Sequence, residues 1–426
     1  MRRRFLPFLL LPLLALPVGC QSSSPSGSGT SGDEAGASSA QPAASDKPMS
    51  WGPTPSELEQ AKELVAGWDP ARLAGQVIVG RYYGSTPEEA ADLVRDLHLA
   101  GVSLGVDNIV DAAQVQATAT AVARAHAADG RRYPPVIGVD QEGGVVAHLD
   151  GVATTFPAFE EAGDAIGSGP QGKAVVHEAA LSTAMELRML GLTWVFAPVA
   201  DVTIGAADPT IGSRSPSEDP KTAAAAIRAA VPGYDHAGIV STTKHFPGHG
   251  SVTADSHEVL PKLTESLETL RQRDLVPFQA AVDAGAPAIM MGHLDSQAIA
   301  PGVPTSLAPE AYDLLRDELG FEGVAITDSM GMGAVMRPGT KPAVDAINAG
   351  ADLVLMPADT RGTHETVAEA IQSGEISRER IEEAAARVVA LQLWQQRQAG
   401  DVPLPAPAAV TSRAQAAAAA LAAAGE

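Results

Sequence analysis

The chain has 426 residues, of which 45% are hydrophobic and 19% charged, a composition typical of a globular protein with a sizeable core. Its 51 acidic and 29 basic residues give a formal net charge of -22. This charge argues against nucleic acid and anionic membrane surfaces as partners. Cys20 is the only cysteine, which excludes an intrachain disulfide, a thiolate zinc cluster and an iron–sulfur site.

Residues 1–19 have the features of an export signal, because Arg2, Arg3 and Arg4 precede the apolar run FLPFLLLPLLALPVG. The run is short for a membrane-spanning helix and contains three prolines. Cys20 directly after it resembles the lipobox of bacterial lipoproteins, although proline stands where that pattern favours leucine. The resemblance implies a lipid on Cys20 and an anchor at the outer face of the cell membrane. Ordinary signal cleavage near residue 19 is the alternative.

The rest of the chain divides into three predicted regions. Residues 20–50 are mostly Ser, Gly, Ala and Pro without apolar periodicity, which predicts a disordered tether. Residues 51–398 alternate apolar runs with helical patterns and predict a single domain. Residues 399–426 are rich in Pro and Ala and lack a bulky apolar face, so we predict a disordered segment or a frayed helix.

Eight apolar runs within residues 51–398 are predicted to be strands. Their nearly uninterrupted hydrophobicity indicates burial on both faces, as in a parallel sheet covered by helices. Amphipathic patterns such as PEEAADLVRDLH, LETLRQRDLVPFQAAVDAG and APEAYDLLRDELG predict those helices. Eight strand–helix units predict an α/β fold, a (β/α)8 TIM barrel, with a doubly wound open sheet as the less favoured alternative. The runs are QVIVG, GVSLG, PVIGVD, TWVFAPV, GIVSTT, AIMMGH, GVAITD and DLVLMP.

Polar side chains cluster where these predicted strands end, which is where sites lie in this fold. A barrel without a functional site would not need carboxylates, imidazoles and a lysine at these positions. The residues concerned are Asp140, Asp201, Lys244, His245, His293 and Asp328, which follow or end the third to the seventh strand.

The loop KHFPGHGSVTADSH after the fifth strand carries the strongest chemical signal. His245 and His249 have the spacing of a helical metal-ligand pair, but the Pro-Gly between them forbids that helix, so we predict no metal. Asp255 and His257 suit a carboxylate that orients an imidazole, which makes His257 a candidate acid and base. A solvated loop in which Asp255 caps a turn is the alternative.

Two further segments carry candidate residues. Asp328 ends the run VAITD and is a candidate nucleophile, although capping of a helix would also suit an aspartate there. Arg214 lies in the loop DPTIGSRSPSEDP, where its guanidinium could hold a hydroxyl pair or a carboxylate, or simply be solvated. DQEGG from Asp140 adds two carboxylates at another strand end.

In this order, the segments resemble glycoside hydrolase family 3, specifically its β-N-acetylglucosaminidase branch. KHFPGHG followed by DSH is highly specific to that branch. The resemblance implies that Asp328 is the nucleophile, His257 the acid/base and Asp255 its orienting partner. It also implies that Asp140, Arg214, Lys244 and His245 hold the sugar. The matching segments are VDQEGG, FAPVADV, IGSRSPSEDP, KHFPGHGSVTADSH, MMGH, LGFEGVAITDSMGMGA and GADLVLMP.

The sequence departs from the family directly after DQEGG. The family has arginines at the positions of Val145 and His148, and the second ordinarily contacts the sugar. His148 is therefore a candidate substrate-binding residue, and we expect weakened affinity for the sugar.

The resemblance implies a retaining exo-β-N-acetylglucosaminidase, a β-N-acetylhexosaminidase that removes non-reducing GlcNAc from cell-wall muropeptides or related β-glycosides. We expect it to work as a monomer without cofactor or metal. A phosphorylase that transfers the sugar to phosphate is one alternative. A degenerate glycan-binding lipoprotein is another, which the intact Asp328, Asp255 and His257 argue against.

Overall fold

The computed structural model describes residues 46–336 and 339–425. Cys20, the predicted export signal and residues 20–45 of the predicted tether lie outside this part of the chain. Within it, no helix combines the length and the apolar character needed to cross a membrane.

Eight parallel strands form a closed barrel in which each strand pairs with the next in the chain and the eighth pairs with the first. Each predicted run overlaps one strand, so the predicted (β/α)8 TIM barrel is confirmed. The strands are Ile78–Gly80, Gly101–Leu104, Val136–Val139, Trp194–Val195, Val240–Phe246, Ala288–Met291, Val324–Ser329 and Leu353–Leu355.

Burial explains why these runs are so apolar. Every residue of the second, third, fifth and sixth strands is buried, because side chains alternate between the barrel interior and the surrounding helices. The fifth strand continues through Lys244 and His245, so these two residues lie within the strand rather than after it.

Helices cover the barrel, and several begin with a capping side chain such as Asp69, Asp111 or Asp219. Two short strand pairs, Gln141–Gly143 with Val146–Ala147 and Lys262–Leu263 with Asp295–Ser296, lie outside the barrel sheet. The α-helices are Pro55–Val65, Pro70–Gln76, Pro87–Leu97, Ala112–Ala128, Glu160–Gly167, Gly172–Met189, Pro220–His236, Leu267–Gln272, Leu275–Asp283, Pro309–Asp313, Pro342–Ala349, Thr360–Ser373, Arg378–Asp401 and Pro407–Ala422.

Two of the three predicted helical patterns are interrupted. LETLRQRDLVPFQAAVDAG forms two helices that break at Arg273 and Asp274. The Arg273 guanidinium donates to the carbonyl oxygens of Val202 and Thr203, and these bonds connect the break between the helices to the loop after the fourth strand. APEAYDLLRDELG begins as an α-helix and continues as the π-helix Leu314–Glu318.

The folded domain extends beyond the predicted limits at both ends. Met49 packs against the core and the Ser50 hydroxyl donates to Glu322, so the folded domain includes residues 46–50. The tail forms the helix Pro407–Ala422, which packs on the helix Gly172–Met189. Its buried face combines small and bulky apolar side chains: Val410, Ala414, Ala417, Ala418 and Leu421. Arg413 also forms a bidentate ion pair with Glu178 across this helix contact.

Candidate active site

A cavity of about 430 Å³ opens at the carboxyl ends of the barrel strands, a size suited to a small ligand. It gathers seven of the eight predicted catalytic and sugar-binding residues into its lining. Asp255 is not part of the lining, but its carboxylate bonds to His257, which is. The seven lining residues are Asp140, His148, Arg214, Lys244, His245, His257 and Asp328.

Asp328 lies near the end of the seventh strand, where its carboxylate accepts a hydrogen bond of 2.7 Å from the Ser329 backbone N–H. Burial alone would raise the pKa of Asp328, but the neighbouring His245 imidazole, this N–H and the Lys244 ammonium outweigh burial and hold the pKa at about 2. The carboxylate is therefore ionised at neutral pH, as a nucleophile must be.

His293 supports the backbone next to Asp328. Its Nε2 lies 3.0 Å from the Ser329 carbonyl oxygen, which can only accept, so Nε2 carries the proton. Its Nδ1 then accepts a hydrogen bond of 2.6 Å from the Ser306 hydroxyl. Burial lowers the pKa of His293, which keeps this fully buried imidazole neutral. The side chain positions the strand end without lining the cavity.

A buried network of four charged side chains forms one wall of the cavity. Lys244 Nζ lies 2.6 Å from Asp140 Oδ1 and 2.7 Å from Glu142 Oε1. Arg214 donates from Nε and Nη2 to both carboxylate oxygens of Glu142, at 2.8 and 2.9 Å. Glu142 therefore joins the two cations that the sequence predicts at the sugar.

The network keeps its members charged in spite of burial. Burial would raise the pKa of Glu142, but Lys244 and Arg214 lower it to about 2. Burial would lower the pKa of Lys244 and of Arg214, but the carboxylates raise both. The side chain of Arg214 is only 12% exposed, so the solvated alternative is wrong. Two nitrogens of the Arg214 guanidinium, Nε and Nη2, bond to Glu142, which leaves fewer N–H groups free to bind a sugar.

His245 is fixed by the fully buried Asp201. Its Nδ1 lies 2.7 Å from Asp201 Oδ2, an arrangement that leaves Nε2 for the cavity. Asp201 Oδ1 accepts the backbone N–H groups of His245 and His249, at 3.2 and 2.6 Å. Burial would raise the pKa of Asp201, but the His245 imidazole outweighs this and lowers it.

The two histidines considered as metal ligands have other partners. His249 Nε2 lies 3.0 Å from the Ser256 hydroxyl, while His245 Nδ1 faces Asp201. In the described part of the chain, no three histidine, cysteine, aspartate or glutamate side chains are arranged to hold a metal ion.

The Asp255–His257 pair lies at the rim of the cavity. His257 Nδ1 is 2.7 Å from Asp255 Oδ1, and their side chains are 66% and 46% exposed. Burial would raise the pKa of Asp255, but hydrogen bonds from His257 lower it. The Gly333 N–H donates to the His257 carbonyl at 2.9 Å, which ties this loop to the segment after Asp328.

His148 and Val145 differ in their relation to the cavity. His148 lines it, with Nδ1 3.4 Å from the Leu104 carbonyl oxygen. Val145 is 81% exposed and is not part of the lining. Of these two positions, only that of His148 therefore faces the cavity.

Comparison with known proteins shows which family the chain belongs to. The family model described as the glycosyl hydrolase family 3 N-terminal domain matches residues 62–391. The chain belongs to glycoside hydrolase family 3. The family predicted from the sequence motifs is therefore confirmed.

Relatives of this family 3 protein include the β-hexosaminidase of Stenotrophomonas maltophilia (strain K279a), 40% identical over 262 residues, or 61% of this chain and 76% of that protein. The β-hexosaminidase of Xylella fastidiosa (strain 9a5c) is 37% identical over 271 residues, 63% of this chain and 79% of the relative. These matches support the predicted β-N-acetylhexosaminidase.

Solved structures agree with the sequence relatives. The family 3 β-N-acetylglucosaminidase from Paenibacillus sp. str. FPU-7 has a TM-score of 0.77 at 30% identity, covering 83% of this chain and 68% of that one. A β-N-acetylhexosaminidase from Beutenbergia cavernae DSM 12333 has a TM-score of 0.66 at 29% identity, covering 77% and 99%.

Sequence reasoning about this family 3 protein missed Glu142, whose side chain is 2% exposed at the centre of the charged network. The motif DQEGG contains it, but nothing local shows that it turns toward Lys244 and Arg214. The catalytic and binding roles assigned to the eight predicted residues stay predictions.

Proposed function

We propose that the chain is a retaining exo-β-N-acetylglucosaminidase that removes terminal GlcNAc through a covalent intermediate on Asp328. The observation that carries this proposal is one cavity lined by an ionised, half-buried Asp328, with the Asp255–His257 pair at its rim. A nucleophile and a proton donor on one cavity are the two groups that a double displacement requires.

In the first step, the Asp328 carboxylate attacks the anomeric carbon as the bond to the leaving-group oxygen breaks. His257 donates a proton to that oxygen, so the leaving group departs as a neutral alcohol. Asp255, bonded to Nδ1, leaves Nε2 as the nitrogen that faces the substrate and stabilises the imidazolium before the transfer.

In the second step, His257 Nε2 accepts a proton from water, and the oxygen of that water attacks the anomeric carbon. The ester bond to Asp328 breaks, and GlcNAc leaves with its original β configuration. Retaining enzymes place their two catalytic groups about 5–5.5 Å apart. The exposed side chain of His257 therefore approaches Asp328 when substrate fills the cavity.

The wall of the cavity supplies partners for the sugar hydroxyls. Lys244 and His245 offer an ammonium and an imidazole, and Asp140 offers a carboxylate, all held by buried partners. Groups that are already fixed lose little freedom when the sugar binds. His148 takes the place of an arginine and offers fewer donors, which is a reason for weaker binding.

The test is to incubate the enzyme with a 4-nitrophenyl GlcNAc glycoside and with a fluorinated GlcNAc analogue that traps the intermediate. We expect 4-nitrophenol release, a β-configured first product by NMR, and the trapped sugar on the peptide that contains Asp328. An α-configured product or a label on another peptide would overturn the mechanism. Inorganic phosphate distinguishes the phosphorylase alternative, which would yield GlcNAc 1-phosphate.

We further propose that cell-wall muropeptides are the natural source of the GlcNAc and that Cys20 anchors the enzyme to the outer face of the membrane. The lipobox-like leader before Cys20 supports the anchor. Release of Cys20→Ala to the medium with unchanged catalysis is the expected result, and equal membrane association of variant and parent would contradict it.

Digestion of purified cell wall with and without the enzyme, followed by measurement of free GlcNAc, tests the substrate.

A further inference from the structure

Exposed apolar side chains are concentrated on the catalytic face of the barrel. Nine large hydrophobic side chains are exposed in the described residues, and all except Leu64 lie in loops that follow a barrel strand. Tyr83, after the first strand, is 66% exposed and lines the same cavity as Asp328. An exposed aromatic ring that continues a binding cavity indicates a contact with ligand.

The loop that carries Tyr83 is rigidly built. Asn108, which is 4% exposed, donates from Nδ2 to the carbonyl oxygens of Tyr82 and Gly84, at 3.2 and 2.7 Å. These two carbonyls flank Tyr83 in the chain. The Tyr83 hydroxyl donates to the Ala358 carbonyl at 3.3 Å. The ring is therefore exposed and held in place, which lowers the entropy cost of binding against it.

One face of the Tyr83 ring is covered by a cation. The Arg81 guanidinium carbon lies 5.1 Å from the ring centroid, a cation–π contact. The backbone of Arg81 is fixed, since its N–H and carbonyl both bond to the Thr360 hydroxyl. Because the ring stays two-thirds exposed, its other face is open.

Tyr83 lies where the leaving group of a bound substrate would extend out of the cavity. The Tyr83 hydroxyl bonds to Ala358 after the eighth strand, and the His257 carbonyl bonds to Gly333 after the seventh strand. Tyr83 and His257 therefore lie on loops at the same mouth, and both line the cavity. Asp328 lies deeper, and the cleaved sugar must reach it. A group joined to that sugar through the oxygen protonated by His257 extends outward past the rim, where Tyr83 lies.

We propose that Tyr83 is the platform of a leaving-group subsite and stacks against a pyranose or aromatic ring attached to the terminal GlcNAc. This inference rests on the proposed function. Tyr83 would thereby determine which aglycones are cleaved, while the sugar-binding wall selects GlcNAc.

The experiment compares three GlcNAc β-glycosides that share the cleaved sugar: the methyl glycoside, the 4-nitrophenyl glycoside and the β-1,4-linked GlcNAc disaccharide. Release of product gives kcat/KM for the parent, Tyr83→Ala, Tyr83→Phe and the control Val110→Ala. Val110 is 64% exposed on the same face of the barrel but does not line the cavity.

Tyr83→Ala should lower kcat/KM for the two ring-bearing substrates by about twofold to twelvefold, the worth of one aromatic contact. It should leave the methyl glycoside unchanged, because a methyl group is too small to stack on the ring. Tyr83→Phe keeps the ring and should resemble the parent, as should Val110→Ala.

An equal loss for all three substrates would show that Tyr83 only supports the loop, and no loss for any of them would show that no stacking occurs. Either result would overturn the proposal that Tyr83 stacks against the leaving group, while the proposed function would stand. A parent that cleaves none of the three substrates overturns both proposals.

Discussion

Replacement of Glu142 by Gln keeps the size of the side chain and removes the negative charge between Lys244 and Arg214. Folding lowers the pKa of Glu142 from its ordinary 4.5 to about 2, because these two cations outweigh the effect of burial. The difference between the two pKa values corresponds to about 3 kcal/mol of unfolding free energy, at about 1.4 kcal/mol per unit. Removal of one partner from a buried ion pair typically costs roughly 3–5 kcal/mol of unfolding free energy, which agrees with the value obtained from the pKa.

The sign of the pH dependence follows from the direction of the change. Since the pKa of Glu142 is lower in the folded state, its stabilisation is present above about pH 4.5 and is lost as the pH falls toward 2. The difference in unfolding free energy between the parent and Glu142→Gln should be about 3 kcal/mol at pH 6.5 and about 2 kcal/mol at pH 3.5.

Urea unfolding at these two pH values measures the effect. Glu59→Gln is the matched control, since the Glu59 side chain is 67% exposed and pairs only with Lys62 among the ion pairs of the described residues. It should cost less than about 0.5 kcal/mol at both pH values. The reasoning is refuted if the two variants lose equal stability, or if the loss in Glu142→Gln does not shrink at pH 3.5.

Four further predictions address catalysis, binding and stability. Asp328→Ala should abolish turnover while the variant keeps the circular dichroism spectrum of the folded parent; turnover at the parental rate would contradict its role. His257→Ala should lower the rate on poor leaving groups by roughly 10² to 10⁴ and less on activated aryl glycosides in the first step, whereas equal losses would make it a positioning residue. His148→Arg should lower KM by roughly tenfold to a hundredfold through a charge-assisted hydrogen bond, and a higher KM would mean that the cavity is rebuilt around histidine. Asp352→Ala leaves three buried or half-buried arginines without their shared carboxylate and should cost about 3–5 kcal/mol of unfolding free energy, with KM unchanged.

Patterns that are local in the chain could be interpreted without coordinates. A strand buried on both faces must be apolar along its whole length, and for this reason all eight strands were predictable. The fold then places strand ends on one face, so Asp328 and the Asp255–His257 pair could be expected near each other. His257 and Asp255 are two residues apart, and their hydrogen bond needs no distant partner.

Contacts between distant residues could not be predicted in this way. Glu142 lies 72 residues from Arg214 in the chain, and their bidentate pair forms because the third and fourth strands, which precede them, are neighbours in the barrel. Likewise, the tail helix buries three alanines beside Val410 and Leu421, and the apolar signal of alanine is weak in sequence although its small size permits close contact.

The sequence by itself therefore determined the barrel, the family and the residue types at the site, since periodicity and short motifs depend on neighbours in the chain. Only the tertiary structure decided that Glu142 joins Lys244 to Arg214, that Asp201 orients His245, and that Tyr83 faces the mouth of the cavity. These features depend on side-chain direction and on distances across the barrel, and neither is encoded in a local pattern.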